Sequence, residues 1–98
     1  MSARVNVDDA ATPRRLVLTG DLDVAHAAAL HAAACAVVGG GDVVADLSGV
    51  DHLDVAATQV LLALRTALGA GGARLIVTGT PPAVAEAWRR CGLDQELA

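Results

Sequence analysis

Short β-branched apolar runs alternate with long Ala-rich runs, and glycines separate them. Leu16-Val17-Leu18-Thr19 is stopped by Gly20. Val43-Val44-Ala45-Asp46-Leu47 follows Gly39-Gly40-Gly41, and Leu75-Ile76-Val77-Thr78 follows Gly69-Ala70-Gly71-Gly72. Between them, Val24 to Val38 and Val55 to Leu68 contain no glycine or proline and predict helices. Strands joined by long helical crossovers leave few folds open, and a mostly parallel sheet is the expected one.

The remaining segments complete the order. Arg4-Val5-Asn6-Val7-Asp8 alternates and predicts a short edge strand, with a turn over Ala10 to Pro13 and antiparallel pairing to the next strand. Pro81-Pro82 sits where a third helix starts, because proline is tolerated in a first turn. Val84, Ala87 or Trp88, and Cys91 form its inner face, and Gly92 ends it. The predicted order is β-β-α-β-α-β-α, with no internal repeat.

The first helix shows an inner stripe of Ala27, Leu30, Ala34 and Val37 or Val38. The second shows Ala57, Val60, Leu61, Leu64 and Leu68. Asp23 and Asp54 are placed to cap these helices, each worth about 1 kcal/mol. The chain has 98 residues, which predicts one domain over 1–98. Trp88 is the single aromatic residue, so Val, Leu and Ala must supply the rest of the core.

The formal net charge is −4, with no basic stripe and no aromatic platform, which argues against nucleic-acid binding. Arg14-Arg15 and Arg89-Arg90 read as solvated flanks of a strand and a helix. Cys35 and Cys91 are far apart and form no CxxC motif, so reduced thiols and a cytoplasmic setting are expected. No secretory signal is apparent, and no apolar run approaches the length of a membrane span.

Catalytic signals are weak. Ser48 and His52 are four apart in what reads as a loop, with no evident third member. His26 and His31 miss the i, i+4 spacing of a shared ligand and read as solvent-facing. The glycine runs follow helices, whereas phosphate loops follow a strand and open a helix. Nothing implies an enzyme, a cofactor or a metal. The carboxylates form the clearer pattern. Asp21, Asp23, Asp46, Asp51 and Asp54 fall near predicted strand ends and helix starts, which predicts an acidic rim along one edge. Asp46 stands apart as a carboxylate inside an apolar strand, where it needs a partner.

Four blocks carry a family resemblance. Gly20-Asp21-Leu22-Asp23 is similar to the "G-E-L-D" segment of STAS domains, the anti-sigma factor antagonist family. Val44-Ala45-Asp46-Leu47-Ser48-Gly49-Val50 resembles their "V-x-D-L-S-G-V" strand. Leu53-Asp54-Val55-Ala56-Ala57 stands where they carry "x-D-S-S-G" or "x-D-T-A-G/A". Pro82-Ala83-Val84 with Cys91-Gly92-Leu93-Asp94 resembles "P-A-V…x-G-L-D". The blocks keep the family's order from about Leu16 to Asp94.

The resemblance implies an α/β fold: a four- to five-stranded mixed, mostly parallel sheet with three to four helices largely on one side. It also implies a non-catalytic protein–protein interaction module in bacterial-type signalling. The partner would be a kinase-like anti-sigma factor that docks at the start of the second helix and phosphorylates a Ser or Thr there. The implied contact set is Asp21, Asp23, Asp54, Val55, Ala56, Ala57, Thr58 and Gln59. This chain departs from the pattern, because Val55 and Ala56 occupy the hydroxyl positions and neither can accept phosphate. Thr58 is the remaining hydroxyl, expected to bond back within its helix. Ala-Thr-Gln also resembles the "D-T-A-A-x-Q" variant of chemotaxis-type relatives. The expectation is a docking module without the phosphoswitch. The alternatives are a subunit of a phospholipid-transport ATPase complex or a chemotaxis-linked scaffold. The chain ends soon after Leu97, where some relatives carry a further strand, so an exposed edge or a homodimer is a further expectation.

Overall fold

A computed structural model describes residues 3–97, with backbone alone for Asp94 and Gln95. Met1, Ser2 and Ala98, part of the predicted single domain, lie outside the described residues. Four strands, β1 (Arg4–Asp8), β2 (Arg14–Leu22), β3 (Val43–Leu53) and β4 (Leu75–Thr78), form one sheet in that order. β1 runs antiparallel to β2, while β2, β3 and β4 are mutually parallel. The helices are α1 (Ala27–Val37), α2 (Val55–Ala70), α3 (Pro82–Arg90) and the short α4 (Asp94–Leu97). This is the expected mixed α/β sheet, with four strands.

Alternation fixes the buried face. Leu16, Leu18 and Leu22 of β2 and Val43, Ala45 and Leu47 of β3 are buried, while between them Val17, Thr19, Val44 and Asp46 are half-buried and Asp21 is exposed. α1 packs on α2, β1 and β2; α2 packs on β4, and α3 on β3. Leu30, Leu61, Leu64, Leu68, Val84 and Trp88 close the core from the helix side. Burying each large apolar side chain contributes about 1.5–3 kcal/mol.

Several local expectations are corrected. β2 continues through Gly20 to Leu22, and β3 through Ser48-Gly49-Val50 to Leu53. Ser48 and His52 therefore lie in a strand rather than a loop. Two register shifts against β2 break the alternation of β3, so its second half lacks a period-2 signature. The first helix begins with a 3-10 turn at Val24–His26, and Val38 is extended beyond its end. Ala27 is half-buried, and Cys91, predicted on the inner face of α3, is exposed.

Arg14 is half-buried rather than a solvated flank. Its Nη2 donates to the carbonyl of Val37, one of the carbonyls that a helix C-terminus leaves open. Arg89 and Arg90 fit the surface reading and pair with Glu86 on the same helix. No helix among the described residues is long and apolar enough to cross a membrane.

Candidate functional site

The ends of β2 and β3 build the site. Leu22 and Leu53 are paired in register, and Asp54 N donates to Leu22 O at 2.9 Å. Each strand is followed at once by an aspartate cap. Asp54 Oδ1 accepts from Val55 N at 2.8 Å, and Asp23 Oδ1 accepts from Ala25 N at 3.0 Å. The caps hold the first free amides of α2 and of the 3-10 turn. Sequence reasoning named both aspartates correctly, because capping is a local property.

It overlooked a short internal repeat. Leu22-Asp23-Val24-Ala25 and Leu53-Asp54-Val55-Ala56 are the same tetrapeptide, at the same level of two neighbouring parallel strands. Val24 and Val55 are 70% and 67% exposed, so the repeat leaves two apolar side chains open at neighbouring strand ends.

The other predicted contact residues divide by burial. Asp21 and Gln59 are exposed, and Ala56 and Asp54 are half-buried. Ala57 and Thr58 face the core, at 1% and 7% exposure. Thr58 Oγ1 accepts a hydrogen bond from Trp88 Nε1 at 3.3 Å, in place of the expected bond back into its own helix. Residues thirty apart make this pair, so no local signal could have shown it. Above it lies an apolar groove of about 260 Å³ between α2 and α3, whose lining includes Leu53, Val55, Leu62, Trp88, Cys91 and Leu93.

The acidic rim is smaller than expected. Asp21, Asp23, Asp51 and Asp54 lie at or within a few residues of the strand ends, with Asp21 level with His52. Asp46 is excluded, because β3 runs on past it and it pairs mid-strand with Val17 and Thr78. Its carboxylate bonds Arg15 and accepts from Ser48 N at 3.0 Å and Ser48 Oγ at 2.7 Å. This satisfies the partner requirement and gives Asp46 a structural role.

Bonds from the Ser48 amide and hydroxyl, followed by the Arg15 charge, hold the Asp46 carboxyl below the ordinary value of 3.8. The folded chain binds this proton more weakly than the unfolded chain. The stabilisation is complete above about pH 5 and is lost as pH falls through the lowered value. Asp46→Asn is expected to cost about 1 kcal/mol at neutral pH. In urea unfolding at a series of pH values, its gap from the parent closes on acidification. A gap that is constant with pH would contradict this assignment.

Asp23 is also lowered, chiefly by its hydrogen bond with His26, whose Nδ1 lies 2.7 Å from Asp23 Oδ1. His26 is thus a partner of the cap, not a free solvent-facing histidine. His31 lies 3.8 Å from Cys35 Sγ on the exposed side of α1. Among the described residues, no three His, Cys, Asp or Glu side chains converge as a metal site.

Comparison with known proteins bears on the family and the fold. The family model described as "Mlab, STAS domain" matches residues 5–98. An anti-sigma factor antagonist from Mycobacterium paratuberculosis is 28% identical, with a TM-score of 0.83, over 98% of this chain and 83% of its own. The Bacillus cell fate determinant SpoIIAA, in its phosphorylated form, has a TM-score of 0.74 over 97% of this chain and 89% of its own. At 14% identity that likeness concerns the fold alone. A search of curated proteins finds no match. Sheet order, helix placement and the family match lead to one conclusion: the chain belongs to the STAS domain family.

Proposed function

We propose that this chain is a non-catalytic, single-domain docking module that binds a signalling partner through the paired helix starts and has no phosphoswitch there. The observation that carries the reading is the exposed Val55 directly after the Asp54 cap, where the family pattern carries a hydroxyl. An exposed valine offers a partner apolar area without a phosphate acceptor. Ala56 beside it is also unreactive. Thr58 is buried against Trp88 and would have to leave the core to reach a kinase. The likeness to an anti-sigma factor antagonist supports a kinase-like anti-sigma factor as the partner.

The test is binding to kinase-like anti-sigma factors from the same genome, with and without ATP. One of them is expected to bind the parent chain, and ATP should leave the intact mass unchanged. Val55→Arg should weaken binding by about tenfold or more, as expected for a substitution central to an interface, with an unchanged circular dichroism spectrum. Stoichiometric phosphate on Thr58 would sink the switch-free reading. Equal binding by the Val55→Arg protein would move the interface elsewhere.

A further inference from the structure

The repeated Leu-Asp-Val-Ala edge constrains what can dock there. Its centre is apolar: Val24 and Val55 project at adjacent strand ends, and Val55 also lines the groove that reaches Leu62 and Trp88. Its border is acidic: Asp23 and Asp54 stand at the two helix starts, Asp51 is exposed two residues before Leu53, and Asp21, level with the exposed His52, lies on the sheet face turned away from the groove. No Arg or Lys is paired with these four carboxylates among the described residues; His26 is the one basic side chain bound to them. Arg89 and Arg90, on the helix that walls the groove, are tied to Glu86.

We infer that this edge receives a basic protein segment, with an aliphatic side chain seated in the groove beside Val55 and arginines or lysines against the acidic rim. The inference rests on the docking reading above and adds the chemistry of the partner. Charge complementarity selects this occupant over the others. A second copy meeting the edge about a two-fold axis would set the same carboxylates against each other, in a chain of net charge −4. Nucleic acid and anionic lipid are repelled by the same rim. A neutral apolar segment would fill the groove and leave the carboxylates without counter-charge.

Random linear peptides displayed on phage and selected on the folded chain test this directly. The expected winners carry an aliphatic or Met residue flanked by Arg or Lys. Their synthetic forms should perturb the Val24 and Val55 methyl and Trp88 indole resonances. Affinity should fall with salt, and by about tenfold in an Asp21→Asn/Asp51→Asn double variant, which spares both caps. Val24→Ser should weaken binding in the same assay.

Winners that perturb Val55 without basic enrichment or salt dependence would overturn the inference and leave the docking reading standing. Winners that perturb only other surfaces would overturn both. Self-association of the parent chain in sedimentation, abolished by Val24→Ser, would also overturn the basic partner, in favour of a second copy.

Discussion

Trp88→Ala is expected to lower the unfolding free energy by about 3–5 kcal/mol, the range for emptying a large buried aromatic site. Trp88 is the single aromatic in the chain and is 4% exposed. It spans from α3 to α2, where its indole donates to Thr58. A domain of this size has a total stability of about 5–15 kcal/mol, so the loss takes a large share. Urea unfolding followed by circular dichroism measures it. Trp88→Phe separates ring from hydrogen bond and should cost about 1–2 kcal/mol, since most of the packing survives. If alanine at 88 costs no more than phenylalanine does, the indole is not holding α3 onto α2.

Gly79→Ala is expected to be the second large loss. Gly79 has φ +68, and an added Cβ would lie 2.8 Å from Ser48 Cβ and 3.0 Å from Ser48 N. The left-handed backbone alone costs a residue with a Cβ about 1–2 kcal/mol. The crowding adds about 1–3 kcal/mol, because Ser48 cannot retreat without disturbing its bonds to Asp46. Gly72→Ala is the control, with φ +80 and nothing within 4 Å of the added Cβ. The two variants should therefore differ in unfolding free energy by the crowding part. Equal losses would show that β3 gives way freely at Ser48.

Most helix ends were legible in the sequence to within a few residues because they are local, although α1 proper starts at Ala27 after the 3-10 turn and α2 runs on through Gly69 to Ala70. An aspartate followed by a glycine-free run, or a glycine after one, carries its own physical reason within a few residues. β4 was legible for the same reason, being short and apolar between glycines. The second half of β3 was not, because strand recognition relies on alternation and the register shifts interrupt it. The Thr58–Trp88 bond and the groove were illegible for a different reason: they join segments that meet only in the folded chain. Ala57 is instructive. The helical period placed it on the inner stripe, while the family pattern placed it in the contact set. The structure agrees with the period, and at 1% exposure the side chain has no surface to offer.

The irregularity of β3 also explains how the edge comes to be level. Arg14 stands opposite Val43 and Leu22 opposite Leu53, so β3 takes two more residues than β2 to cover the same span. Without that slack, Asp54 and Val55 would fall two residues out of step with Asp23 and Val24. The irregular strand works as a length adjuster, bringing two identical tetrapeptides to a common height. Deleting a residue near either shift would leave each cap able to start its helix while splitting the shared face they form together.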